Sequence, residues 1–156
     1  GSNEALARRA FVRMGRGSRF DGVGGGGNHR FALYDMIMLK DNHIDFAGGI
    51  SKAIEKTREY LKTNNLDLKI IVEARNLDEI REILKHDDIY RILIDNFSFE
   101  DTRKAVNLIN QKCQTESSGG TTLETVRKYA ECGVDFVSSG ALTHSIYNMD
   151  LSLKAV

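Results

Sequence analysis

Short apolar runs alternate with segments of helical periodicity along most of this chain, and this alternation constrains the fold more than any other feature. The apolar runs predict strands that begin near Met36, Lys69, Arg91, Cys113 and Val134. Repeated strand–helix alternation gives parallel strands joined by right-handed crossovers. The sequence therefore predicts an α/β fold of parallel βα repeats, either a partial or oligomer-completed (β/α) barrel or an open flavodoxin-like sheet.

The segments between these strands carry the signals of helices. Ile50 to Thr63 places apolar residues on one helical face and is followed by two asparagines that end it. Three later segments begin with residue pairs typical of N-terminal capping boxes. These pairs are Asn76 with Glu79, Ser98 with Asp101, and Thr121 with Glu124. The last pair predicts a helix that starts directly after Gly119–Gly120 and ends at Gly133, a suitable residue after a helix end.

The first 27 residues differ from the rest of the chain. Asn3 to Met14 favours a helix, because Asn3 can cap it and Leu6, Ala10 and Met14 form one apolar stripe. The glycine-rich residues 15–27 indicate a flexible linker. Gly1–Ser2 resembles a remnant of tag cleavage. We therefore divide the chain into an atypical helix plus linker, residues 1–27, and a barrel portion, residues 28–156.

Composition excludes several classes of function. The 156 residues contain 22 basic and 22 acidic side chains, so no net positive charge favours binding to nucleic acid or to an anionic membrane. The sequence shows neither a signal peptide nor a run of 18 uncharged apolar residues. The two cysteines match no metal or disulfide pattern, and reduced thiols indicate a cytoplasmic location.

Polar residues or glycines follow every predicted strand. They are Lys40–His43, Glu73, Asp95–Asn96, Ser118–Gly120 and Ser139–Ala141. Each of these features alone more often caps a helix, forms a turn or lies in solvent. Because parallel strands end on one side of a sheet, their recurrence at all five strand ends predicts one ligand-binding rim.

The rim residues indicate two kinds of chemistry. The glycine turns at 118–120 and 139–141 offer backbone N–H groups to a phosphate, and a helix N-terminus would strengthen that site. Glu73 and Asp95 lie on neighbouring predicted strands and suit sugar hydroxyls or a hard cation such as Mg²⁺. Lys40, with His29 and Arg30, supplies positive charge for an anionic substrate.

The motifs GGGxNHRxxLYDxxMxKDNHI, VEAxNL, LxDN, ESSGG, SSGALTHS and MDLSLK together resemble quinolinate phosphoribosyltransferases over residues 24–156. The resemblance implies a barrel enzyme of NAD biosynthesis. Such enzymes form nicotinate mononucleotide, pyrophosphate and CO₂ from quinolinate and phosphoribosyl pyrophosphate, with Mg²⁺ as cofactor.

The same resemblance implies roles for individual residues. His29, Arg30 and Lys40 would hold the quinolinate carboxylates. Glu73 and Asp95 would face the ribose hydroxyls and, indirectly, the metal through its pyrophosphate, so that Lys40, Glu73 and Asp95 are the expected catalytic residues. The remaining residues would surround a phosphate: Ser118, Gly119, Gly120, Ser139, Gly140, Ala141 and His144.

The sequence departs from the family pattern before Gly24. No N-terminal sandwich domain is visible, and nothing between Asn3 and Val23 matches the family's Thr-Arg-Lys-Thr motif on the first barrel strand. We therefore expect impaired turnover by this chain alone. The alternative is an engineered or truncated barrel fragment with a structural role and residual phosphate binding. Missing strands would expose sheet edges, which predicts a homodimer or a larger homo-oligomer.

Overall fold

The computed structural model describes residues 11–14, 27–28 and 36–139, which form seven strands and five helices. The strands are β1 (Phe11–Met14), β2 (Gly27–Asn28), β3 (Met36–Leu39), β4 (Lys69–Ala74), β5 (Ile89–Asp95), β6 (Gln114–Ser118) and β7 (Phe136–Ser139). The helices are α1 (Asp41–Ala47), α2 (Ile50–Thr63), α3 (Leu77–Ile83), α4 (Phe99–Ile109) and α5 (Val126–Glu131).

All seven strands belong to one parallel sheet with the order β2-β1-β7-β6-β5-β4-β3. If the two ends of this order are joined into a ring, the strands follow one another in sequence order, as they do in a (β/α) barrel. In the described part of the chain, the ring is open between β2 and β3. A flavodoxin-like sheet instead reverses its strand order near the middle. The prediction of parallel βα repeats in a partial barrel is therefore confirmed, and the flavodoxin-like alternative is wrong.

The five predicted strands are all present, with starts that differ by up to two residues. Two strands shift by two residues: β5 was expected from Arg91 and begins at Ile89, and β7 was expected from Val134 and begins at Phe136. The Asp135 carboxylate accepts the backbone N–H of Thr115 at 2.8 Å. The regular ladder between β6 and β7 therefore starts one residue later, where Glu116 pairs with Phe136.

The predicted helix from Asn3 to Met14 is wrong at its end. Phe11–Met14 forms β1, which pairs in parallel with all four residues of β7. Phe and Val favour strands, and the β7 edge supplies the backbone partners that a short local segment cannot provide for itself. Gly27, assigned to the linker, pairs with Arg13 in β2. The remaining residues of the expected helix and linker lie outside the described ranges, and the boundary at residue 27 stays a prediction.

The main core lies between the sheet and its helices. Alternate strand residues face this layer, among them Ile70 and Val72 of β4 and Ile92 and Ile94 of β5. The intervening residues face the other side, where Met38, Ile71 and Leu93 form a second, smaller apolar cluster. Successive side chains of a strand point to opposite faces of the sheet, and strands that are covered on both faces therefore carry apolar residues on each. The residues on the side of the second cluster therefore point toward the inside of the barrel.

The helix predictions are confirmed for α2, α3 and α4. Asn76 accepts the N–H of Glu79 at 2.9 Å, and Ser98 accepts the N–H of Asp101 at 3.1 Å, as N-caps do. The Glu79 carboxylate, however, accepts the N–H of Arg75, so the reciprocal half of that capping box is absent.

The predicted start of the last helix at Thr121 is wrong. The helix α5 begins at Val126, because Thr122 and Thr125 exchange side-chain and backbone hydrogen bonds and hold the preceding residues in a turn. The short helix α1 was not predicted. It starts immediately after Lys40, whose backbone N–H donates to Nδ1 of His43 at 3.2 Å.

Among the described residues, no helix is both long enough and apolar enough to cross a membrane.

Candidate functional site

The predicted rim is present at the carboxyl ends of β3 to β6. Lys40 follows β3, Glu73 lies near the end of β4, Asp95 ends β5 and Ser118 ends β6. Glu73 and Asp95 alternate with Val72 and Ile94, which pack against the helices, so both carboxylates belong to the inner face. The parallel register therefore gathers residues that are up to 78 positions apart in the sequence.

The Asp95 carboxylate is held by two neighbours. Ser118 Oγ donates to Asp95 Oδ1 at 2.9 Å, across the β5–β6 ladder in which these two residues are paired. Asn96 Nδ2 donates to Asp95 Oδ2 at 3.0 Å. With one donor on each oxygen, the carboxylate is fixed in orientation while Asp95 itself stays half-buried.

Glu73 is the most perturbed acid of the rim. Its side chain is only 9% exposed, and desolvation is the main reason that its pKa rises from 4.5 to about 6. The negative charges of Asp95 and Asp41 raise this pKa further, whereas Lys40 and a backbone hydrogen bond from Asp41 lower it. A buried carboxylate among like charges is the electrostatic situation that a bound cation or hydroxyl donors relieve.

Lys40 brings the positive charge to this rim. It occupies the N-cap position of α1, its side chain is exposed, and its charge acts on Glu73. A lysine that remains accessible beside two carboxylates can neutralise an anion that binds next to them. The predicted partners of Lys40, His29 and Arg30, lie outside the described residues.

The glycine turn after β6 is formed by Gly119 and Gly120, with φ of 81° and 58°. Both values lie in the left-handed region that glycine adopts without strain. Because α5 starts only at Val126, the expected helix N-terminus behind this turn is not there. Any anion at the turn would be bound by loop N–H groups and nearby side chains, without the help of a helix dipole.

The second predicted turn is described only in part. Ser139 is the last residue of β7, and Gly140, Ala141 and His144 lie beyond the described ranges. Their roles in phosphate binding stay predictions.

Below the rim lies a buried polar network that the sequence analysis missed. Arg91 donates from Nη1 to Glu116 Oε2 at 2.6 Å, and its side chain is 1% exposed. Its Nε and Nη2 donate to Gln114 Oε1, and its guanidinium lies 4.1 Å from the centre of the Phe136 ring. Ser138 donates to the other oxygen of Glu116. All five residues of β6 (QTESS) are polar, and this uninterrupted polarity was the signal in the sequence for a polar network at this strand.

No group of three or more His, Cys, Asp or Glu side chains in the described part of the chain is arranged to hold a metal ion by itself. The donors at the rim are two carboxylates. Mg²⁺ commonly takes one or two carboxylates together with substrate phosphates and water. The residues present therefore fit a magnesium ion that arrives with a phosphate ligand.

A sequential ring of parallel strands with carboxylates, a lysine and a glycine turn at its carboxyl rim defines a (β/α)-barrel domain with a candidate ligand site at that rim. Comparison with known proteins identifies the particular family. The sequence profile of the quinolinate phosphoribosyl transferase C-terminal domain matches residues 21–154, and the chain belongs to this family.

Curated relatives agree with this assignment. The chain is 46% identical over 146 residues to the chloroplastic nicotinate-nucleotide pyrophosphorylase [carboxylating] of Arabidopsis thaliana. It is 44% identical over 146 residues to the mitochondrial quinolinate phosphoribosyltransferase [decarboxylating] 2 of Nicotiana glauca. Each alignment covers 85% of this chain and 42% of the relative. The chain thus spans less than half the length of these proteins.

Solved structures show the same fold. The nicotinate-nucleotide pyrophosphorylase of Ehrlichia chaffeensis matches with a TM-score of 0.77 and 31% identity, covering 95% of this chain and 56% of that one. The enzyme of the same name from Francisella tularensis matches with a TM-score of 0.76 and 32% identity, covering 98% of this chain and 57% of that one.

Proposed function

We propose that the rim of this chain binds phosphoribosyl pyrophosphate together with Mg²⁺ and presents it to quinolinate, as one part of a quinolinate phosphoribosyltransferase of NAD biosynthesis. The observation that carries the proposal is the convergence of Glu73 and Asp95 on one face beside Lys40. The names of the relatives support the choice of substrate class, since they describe quinolinate phosphoribosyltransferases and nicotinate-nucleotide pyrophosphorylases.

In this proposal the two carboxylates bind the ribose. Carboxylates accept hydrogen bonds from neutral hydroxyls strongly, because the acceptor is charged. Asp95 is held by Ser118 and Asn96 and offers its remaining lone pairs to a ligand above the rim. Glu73 is ionised above a pKa of about 6 and accepts a second hydroxyl at neutral pH.

Glu73 and Asp95 would also hold the magnesium ion indirectly, through the pyrophosphate with which it arrives. Bound there, the ion would neutralise charge on the leaving pyrophosphate. The chain's own contribution is to fix the carboxylates before the ligand arrives and to shield Glu73 from water. Such preorganisation strengthens electrostatic interactions with the developing charge.

The anionic groups of both substrates would contact the remaining predicted residues. Lys40, with His29 and Arg30, would bind the quinolinate carboxylates. The turn at Ser118, Gly119 and Gly120 would bind a phosphate, with Ser139, Gly140, Ala141 and His144 on its other side. Among these, Lys40 and the first turn lie in the described rim.

Isothermal titration calorimetry with phosphoribosyl pyrophosphate, with and without Mg²⁺, tests this proposal. Glu73→Gln and Asp95→Asn should each weaken binding about 10- to 100-fold, because a hydrogen bond to a charged group contributes about 1.5–3 kcal/mol. Glu59→Gln, an exposed residue of α2, is the matched control and should bind like the parent. Equal affinity in all four proteins would contradict the placement of the site.

Two further features belong to this proposal. Association with a second copy would cover the β3 strand, which is a sheet edge in the described part of the chain. A cytoplasmic location is proposed from the sequence, although two of the relatives are described as chloroplastic and mitochondrial.

A further inference from the structure

Asn96 connects the turn after β5 to the turn after β6. It has a left-handed backbone with φ of 56°, a conformation that asparagine tolerates better than most residues. Its backbone N–H donates to the carbonyl oxygen of Ser118 at 2.9 Å. Its side-chain amide donates to Asp95 Oδ2 at 3.0 Å. The residue after β5 is therefore hydrogen-bonded both to the Asp95 carboxylate of β5 and to the end of β6.

Gly119 leaves room for this asparagine. A β-carbon placed on Gly119 would lie 2.5 Å from Cγ and 2.7 Å from Nδ2 of Asn96, distances that real side chains do not reach. A β-carbon on the neighbouring Gly120 would come no closer than 3.7 Å to Asn96, an ordinary contact. Both glycines have positive φ, and Gly119 differs from Gly120 in this close approach to the Asn96 side chain.

We propose that Asn96 is a positioning residue that orients Asp95 for ligand binding, and that Gly119 lacks a side chain in order to accommodate Asn96. Ser118 fixes one oxygen of Asp95 and Asn96 fixes the other, so that the carboxylate cannot rotate away from the rim. The use of Asp95 by a ligand rests on the proposed function. The role of Gly119 does not, because it follows from the packing of the protein alone.

The contact with Asn96 explains the glycine at position 119 without reference to a phosphate. The sequence analysis assigned Gly119 to a phosphate cradle, where a side chain would obstruct the anion. The structure shows that the first atom such a side chain meets belongs to the protein. A substitution at Gly119 would thus impair the rim by displacing Asn96, whether or not a phosphate binds at this turn.

Thermal unfolding of five variants, compared with the parent, tests the packing half of the proposal. Gly119→Ala should lower Tm by at least twice as much as Gly120→Ala in the parent background. In an Asn96→Gly background, which keeps the left-handed backbone and removes the side chain, Gly119→Ala should lower Tm by less than it does in the parent background, since the clash is gone and only backbone strain remains. The loss caused by Gly120→Ala should be the same in both backgrounds. The same loss from Gly119→Ala in both backgrounds would overturn the proposal.

The orientation half is tested by a crystal structure of Asn96→Gly without ligand. Asp95 should leave the single orientation held by Ser118 and occupy a second rotamer. One unchanged orientation would overturn the positioning role. This result does not depend on whether the proposed substrate binds.

Binding then separates this inference from the proposed function. Asn96→Asp keeps the shape of the side chain but replaces the N–H donor with a second carboxylate. It should weaken the binding of phosphoribosyl pyrophosphate with Mg²⁺ at least about tenfold, with little change in Tm. Parent-like binding by Asn96→Asp would contradict the positioning role, whereas no binding by the parent would contradict the proposed function and leave the two ligand-free tests to decide on Asn96.

Discussion

Replacing Glu73 with glutamine should make the protein more stable at neutral pH. The glutamate is 9% exposed and lies near the charges of Asp95 and Asp41, and its pKa is raised from 4.5 to about 6. A raised pKa means that the folded protein binds the proton more tightly than the unfolded chain does. Ionised Glu73 therefore lowers the free energy of unfolding, and a neutral glutamine removes this penalty.

The size of the effect follows from the shift. A difference of about 1.5 pKa units corresponds to about 2 kcal/mol. The contribution of Glu73 to stability is greatest below pH 4.5, falls as the pH rises toward 6, and stays at its lower value above 6. Glu73→Gln should therefore be about 2 kcal/mol more stable than the parent at pH 7, or about 4–8 °C in Tm, and equal to it near pH 4.

Urea unfolding of parent and variant between pH 4 and pH 8 measures this difference directly. Other titrating groups are common to both proteins and cancel in the comparison. Glu59→Gln, an exposed glutamate, should differ from the parent by less than about 0.5 kcal/mol throughout. A difference for Glu73→Gln that does not change with pH, or a variant less stable than the parent at pH 7, would refute the electrostatic reasoning. The stability gain should accompany the loss of ligand affinity expected above, as in other binding sites.

Four other outcomes are expected. Ser117→Ala should raise stability by about 1 kcal/mol in urea unfolding, because the buried Ser117 hydroxyl has no hydrogen-bond partner among the described residues, whereas Ser118→Ala should lower it. Arg91→Met should cost about 3–5 kcal/mol by breaking the buried ion pair between Arg91 and Glu116. Adding Glu116→Leu should recover part of this loss, and a fully additive double variant would argue against coupling between the two residues. Turnover of quinolinate by the purified 156-residue chain, measured by pyrophosphate release, should lie several orders of magnitude below that of a full-length relative. The chain spans less than half of such a relative, and each charge-stabilising donor outside that span is worth about 10²–10³ in rate. Light scattering should show a dimer or larger species, and a monomer at high concentration would contradict covering of the β3 edge.

The sequence predicted the elements whose signals are local. Helix α2 and the caps at Asn76 and Ser98 depend on residues within a few positions of each other, and these predictions are confirmed. Strand β1 depends instead on pairing with β7, which follows it by more than 120 residues. No local pattern contains that information, so the apolar stripe of the segment was interpreted as helical.

In the candidate site, too, the positions of residues followed from local sequence, whereas the contacts between them did not. The rim positions of Lys40, Glu73 and Asp95 followed from strand ends alone, because parallel strands end together. The contacts among them depend on register. The ladder between β4 and β5 shifts between Ile70 and Ile71, and the pairing of Asp95 with Ser118 follows from the next ladder. The close approach of Asn96 to Gly119, and the buried pair of Arg91 with Glu116, are consequences of that register and were not predicted.

Chemical-shift mapping of the isotopically labelled chain, titrated with phosphoribosyl pyrophosphate and Mg²⁺, tests the central proposal most directly. The largest changes should occur in the backbone amides of Asp41, Glu73, Asn96, Gly119 and Gly120, and should be lost in Asp95→Asn. Changes concentrated instead in the helices on the outer side of the sheet, or no changes at saturating ligand, would contradict a ligand site at the carboxyl rim.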